Sequence, residues 1–85
     1  MTTHAYFKTE WLALDPELLE RRIPVRDDLV QFDDIEALAS TDAPGLDQAW
    51  IAWARGITVT DLGIPLRDWR AFLGTLRWQR AQSSR

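Results

Sequence analysis

Apolar residues recur at helical spacing along the last third of the chain. With successive residues advancing about 100° around a helix, Leu66, Trp69, Phe72, Leu73 and Leu76 fall on one arc. The spacing predicts a helix from Leu66 to Gln82 with that arc turned towards a core. Trp78 points to the opposite side, and Arg77, Arg70 and Arg67 lie between it and the apolar arc. One face is structural, and the other carries arginines and an indole, side chains enriched at binding hot spots. The competing explanation is local: Trp78 packs against the N-terminal segment and has no partner to recognise.

Leu46 to Arg55 repeats the arrangement in shorter form. Leu46, Ala49, Trp50 and Trp53 make an apolar stripe, while Asp47, Gln48 and Arg55 face away. Asp42, Pro44 and Asp47 supply start signals and Gly56 a left-handed stop. Further upstream, Asp15-Pro16-Glu17 opens a helix with an acceptor cap, a proline at the first helical position and a carboxylate for the dipole. Ile23 precedes Pro24 and is pushed out of the α region, so this helix ends near Arg22. Leu18 and Leu19 anchor it, and Glu20, Arg21 and Arg22 stay wet. Another helix, capped by Asp27 or Asp28 and running through Ala39, would bury Phe32, Ile35, Leu38 and Ala39 and turn Asp33, Asp34 and Glu36 outward. Ser40 to Gly45 reads as a turn-forming linker.

Two stretches suit an extended chain. Tyr6–Leu14 alternates imperfectly and reads as a short strand, although Leu12, Leu14 and Leu18 suit a helical turn equally well. Ile57, Thr58 and Val59 are β-branched and would lie extended, after which Thr60 or Asp61 caps a single turn before Gly63 and Pro65 opens the last helix. The expected fold class is therefore mainly α: a compact small domain of three to four helices, with at most a short N-terminal strand. One helical domain would cover residues 1–85, with residues 1–5 and 81–85 loose. Its core would be Leu18, Phe32, Ile35, Leu46, Trp50, Trp53, Leu62, Trp69, Phe72, Leu73 and Leu76.

Composition narrows the classes of function. A chain of 85 residues hides only somewhat more than about 60% of its unfolded surface, so large side chains must supply the stability, and the five tryptophans do so. A hydrophobic fraction of 46% is too high for a disordered chain. Without cysteine there is neither a disulfide nor a thiolate metal site. No apolar run approaches the roughly 20 residues that span a bilayer, and the start lacks a secretory pattern, so the expected location is cytoplasmic with no membrane partner. The net charge of −3 hides an asymmetry: residues 1–48 hold 11 acidic and 4 basic residues, a balance of −7, while residues 49–85 hold 2 acidic and 6 basic, a balance of +4. The halves either attract each other or present two faces.

Catalysis needs converging groups with complementary roles. His4 is the only histidine, and there is no glycine-rich phosphate loop and no GxSxG elbow. The carboxylate pairs Asp27–Asp28 and Asp33–Asp34 would point about 100° apart on a helix and suit a solvated face. The expectation is a non-enzymatic protein without cofactor, metal or small-molecule substrate. Recognition remains. The leading reading is a protein-binding module, acting as inhibitor, adaptor or assembly factor, through Arg67, Arg70, Arg77 and Trp78. In a second reading Asp27, Asp28, Asp33, Asp34 and Glu36, with Asp42 and Asp47, imitate phosphates and block a nucleic-acid-handling protein. Such binding is steeply salt-dependent. A third reading is a helix-turn-helix-like DNA-binding regulator using residues 57–80. It is opposed by the acidic N-terminal half and by room for barely one turn between Gly56 and Gly63. A homodimer could equally use the arginine and tryptophan surface.

Overall fold

Prolines and left-handed turns divide the chain into its elements. The computed structural model describes residues 9–55 and 62–83. Within them lie a 3-10 turn (Thr9–Ala13), α1 (Pro16–Arg22), β1 (Leu29–Val30), α2 (Phe32–Thr41), α3 (Leu46–Trp53), β2 (Ile64–Pro65) and α4 (Leu66–Ser83). The fold is mainly helical, as the apolar periodicities predict.

α1 follows its local chemistry closely. The Asp15 carboxylate accepts from the Glu17 backbone N–H at 3.0 Å, and Ile23, ahead of Pro24, is extended at φ −88°, ψ 117°. The N-terminal strand is corrected over its described part: Thr9–Ala13 is a 3-10 helix. The reason lies in its period. Three residues per turn place Trp11 and Leu14 on one side, where both are buried and the Leu14 N–H donates to the Trp11 carbonyl. Tyr6–Lys8, and the link comprising Gly56, Ile57–Val59, Thr60 and Asp61, lie outside the described residues.

Asp27 and Asp28 do not cap α2. Both adopt positive φ, 55° and 60°, and Arg26 and Leu29 exchange backbone hydrogen bonds at 3.0 and 2.9 Å around them. This is the two-residue primed turn whose twist suits a hairpin, and Asp tolerates the left-handed region better than most residues. Helix formation is thereby delayed to Phe32. Gln31 occupies the N-cap without a side-chain cap bond; its amide donates instead to the Leu62 carbonyl at 2.8 Å. β1 runs antiparallel to β2, with Leu29 opposite Pro65 and Val30 opposite Ile64. Gly63 makes this approach possible: its φ is 142°, and a Cβ there would lie 3.0 Å from the Val30 carbonyl oxygen. Pro65 therefore ends a strand rather than opening the last helix, which starts at the next residue.

α3 is capped differently from expectation as well. Gly45, left-handed at φ 89°, precedes it with no side-chain cap, and Asp42 serves α2, where its N–H closes the last turn on the Leu38 carbonyl. α4 continues through Ser83, so residues 81–83 are helical rather than loose; Ala81 and Gln82 are good helix formers with nothing to stop them.

The core gathers around α4. Trp50 stands edge-on to Phe72 at 5.5 Å between ring centroids, and Trp69 lies 5.5 Å from Phe72. Ile35, Leu46, Trp50, Trp69, Phe72, Leu73 and Leu76 are buried as expected. Leu18, Phe32 and Trp53 are only half-buried. Leu62 is corrected outright: its side chain is 73% exposed, because in the turn before Gly63 it contributes its carbonyl to Gln31. In its place Trp11, Leu14, Leu19, Ile23, Val30 and Ile64 complete the core. Among the described residues no helix is long and apolar enough to cross a membrane.

Candidate functional site: the outward face of α4

α4 buries Trp69, Phe72, Leu73, Leu76 and Gln79 and leaves Arg67, Arg70, Ala71, Gly74 and Trp78 exposed. The exposed set spans the first three turns and more. Trp78 is 47% exposed, and Arg67 and Arg70 make no ion pair among the described residues.

The fourth predicted site residue behaves otherwise. Arg77 reaches across to α1, where its Nε lies 3.0 Å from Glu17 Oε2 and its terminal nitrogen pairs with Glu20. The hydrogen bonds it donates to Glu17 and then Glu20 raise its pKa above the ordinary arginine value. A raised value in a cation means that its charge is fully present below the ordinary value and fades only as pH climbs through the raised one, so deprotonation of Arg77 does not release α1 near neutral pH. Arg80, which the helical wheel did not single out, does related work: its Nη1 donates to the Leu14 carbonyl at 3.1 Å and lies 3.9 Å from Asp15. The predicted quartet thus separates into a fold-holding arginine and an outward trio.

Two depressions lie along the outward trio. The first, about 580 Å³, is lined by Asp28, Pro65, Leu66, Arg67 and Arg70. The Leu66 N–H donates to the Asp28 carbonyl at 2.9 Å, which straps the hairpin turn to the start of α4 and places Asp28 on the same depression as Arg67 and Arg70. The second, about 350 Å³, is a shallow groove lined by Ala71, Gly74, Thr75 and Trp78. Its floor is the bare helix at Gly74, where an added Cβ would meet nothing within 4 Å. Thr75 stiffens one wall: its hydroxyl accepts from Trp53 Nε1 at 3.2 Å and donates to the Ala71 carbonyl at 3.0 Å.

The acidic residues are not gathered in the same way. Asp33 and Asp34 stand in the first turn of α2, where carboxylates favour the positive end of the helix dipole. Asp33 and Glu36 are exposed and Asp34 is half-buried. Asp27 and Asp28 belong to the hairpin turn, with Asp28 next to Arg67 and Arg70. Chemically, the α4 face offers two planar donors suited to carboxylates, an indole with apolar area, and a groove between them. The groove residues Ala71, Gly74 and Thr75 were missed in the sequence, although a signal existed: small residues at positions 71, 74 and 81 share the solvent side with Trp78. Compared with family models, with curated proteins and with solved structures, the chain matches none.

Proposed function

We propose that the protein works by binding another protein through the outward face of α4, with Arg67 and Arg70 at one end and Trp78 at the other. The observation that carries this reading is a tryptophan 47% exposed beside a groove, on a helix whose opposite side supplies the core. Indole and guanidinium groups dominate interface energetics because the indole places large rigid area at small entropic cost and the guanidinium presents a planar fork of directed donors. Arg77 drops out as a contact and becomes the residue that orients the face. A module of this kind acts as an inhibitor, adaptor or assembly factor, and the identity of the bound protein distinguishes these roles.

The test is affinity capture from nuclease-treated host lysate, comparing wild type with Trp78→Ala and with the Arg67→Ala/Arg70→Ala double variant, after far-UV circular dichroism has established that all three are folded. One protein retained by wild type and depleted at least tenfold by both variants is the expected result. Equal retention by wild type and Trp78→Ala refutes the assignment of the face.

A further inference from the structure

The groove on α4 has a particular composition: Ala71, Gly74, Thr75 and Trp78 stand at positions i, i+3, i+4 and i+7. Four residues so spaced make the hole that receives a knob from a facing helix. The solvent side carries the matching seam, since Arg67, Ala71, Gly74, Trp78 and Ala81 alternate steps of four and three residues, the spacing of positions a and d in helix pairs. This seam is separate from the arc that forms the core. Its largest side chain, Trp78, is a knob displaced by four residues from the floor of the hole at Gly74, about 6 Å along the axis.

Resting on the reading of this face as an interface, we infer that α4 pairs antiparallel with α4 of a second copy, each Trp78 seating over the partner copy's Gly74. A knob and a hole side by side on one face are what a two-fold axis requires, because an isologous contact must be self-complementary. Glycine removes the side chain at the crossing and lets the helices approach to about 8 Å, the near end of the usual range.

Charge selects the direction. In a parallel pair Arg67 would oppose Arg67 and Arg70 would oppose Arg70. With Trp78 over Gly74 in the antiparallel pair, the two Arg70 side chains start about 18 Å apart along the axis, beyond a Debye length at physiological salt. Each Arg70 then lies level with residue 82 of the other copy, in the last turn of a helix ending at Ser83. There the carbonyl ends carry partial negative charge, which favours a guanidinium. Helix dipoles also oppose head to tail.

The area limits the affinity. A seam along one helix of 18 residues, about 27 Å long, covers less than the roughly 800 Å² per partner of a standard interface. The pair is therefore a weak dimer that forms and dissociates with concentration, and a tighter protein partner can displace the second copy from the face.

Sedimentation equilibrium from about 1 μM to 1 mM, the range of weak affinities, tests this on the full chain. Wild type is expected to pass from monomer to dimer. Trp78→Ala removes the knob, and Gly74→Leu fills the hole from a position where an added Cβ meets no neighbour within 4 Å; each should raise the dissociation constant at least tenfold while circular dichroism stays native. Direction is read by oxidising an equimolar mixture of Arg70→Cys and Gln82→Cys chains, which introduces the only thiols: mixed disulfides should well exceed twice either homodimer, the share that random pairing gives. Wild type monomeric throughout, or Gly74→Leu associating as wild type does, overturns the pairing. Predominance of the homodimeric disulfides overturns its antiparallel sense. Capture of a lysate protein through Trp78 by a strictly monomeric chain sinks the self-pairing alone and leaves the binding face standing.

Discussion

Two glycines should respond to the same substitution with opposite sign. Gly74 lies in the interior of α4, where a Cβ meets nothing within 4 Å. Gly74→Ala should therefore gain the helix-propensity difference, about 1 kcal/mol, worth roughly 4–8 °C in Tm for a domain of this size. Gly63 sits at φ 142°, with a new Cβ 3.0 Å from the Val30 carbonyl oxygen and 2.9 Å from the Gln31 amide nitrogen. The φ alone costs on the order of 1–3 kcal/mol in a residue with a side chain. The Val30 carbonyl belongs to backbone and cannot swing aside. The Gln31 amide can, but only by giving up its bond to Leu62, a loss of about 0.5–1.5 kcal/mol. Gly63→Ala should thus cost about 1.5–4.5 kcal/mol in sum, against a total stability on the order of 4–13 kcal/mol for 85 residues. Urea denaturation followed by tryptophan fluorescence at low micromolar protein, with thermal melts alongside, measures both. An unchanged m-value would show that the denatured state is not the cause. A Gly63→Ala protein within about 0.5 kcal/mol of wild type, or a Gly74→Ala protein less stable than wild type, would refute the account of β1–β2 packing and of the open groove respectively.

Other expectations follow from the core and from the α1–α4 contact. Trp69, 2% exposed and ringed by Trp50 and Phe72, should cost about 3–5 kcal/mol as Trp69→Ala, enough to remove most of the stability and the near-UV circular dichroism. Arg77→Ala should cost no more than about 1 kcal/mol, because its partners Glu17 and Glu20 are more than half exposed. Repeating the denaturation in about 1 M salt, where the Debye length falls to about 3 Å, should abolish the difference, and a loss that persists there would point to packing by the arginine stem.

How much the chain discloses depends on whether a signal is local. Asp15-Pro16-Glu17 and Ile23-Pro24 set the ends of α1 through bonds spanning a few residues, and the apolar arc of α4 depends only on helical spacing. Both were readable for that reason. The Asp27-Asp28 turn was not, because a capping acid and a left-handed acid look alike until Leu29 and Val30 find Ile64 and Pro65, more than thirty positions away. Leu62 failed for the same cause: hydropathy assigns it to the core, while the pairing that places Gly63 against Val30 turns its side chain to solvent and its carbonyl to Gln31. In the candidate site, Trp78 and the outward arginines were visible on the helical wheel. The groove was overlooked because small residues carry no signal of hydrophobicity or charge, and the tie of Arg77 to α1 was not visible because its partners lie on a helix some sixty residues earlier.

The separation of Arg77 from Arg67 and Arg70 also resolves the charge asymmetry between the halves of the chain. Of the four ion pairs among the described residues, three join Arg77 or Arg80 to Asp15, Glu17 or Glu20. Among the described residues, the ion pairs that join the basic C-terminal half to the acidic N-terminal half lie along the second half of α4. The cations of its first two turns, Arg67 and Arg70, are exposed and line a depression with Asp28. Salt should consequently act on two distinct properties through distinct residues: modestly on folding through Arg77 and Arg80, and on partner affinity through Arg67 and Arg70. A binding measurement repeated across ionic strength in the Arg67→Ala/Arg70→Ala background should lose most of its salt dependence, whereas the same experiment in Arg77→Ala should retain it. The reverse ranking would mean that the fold-holding arginine is the one that meets the partner.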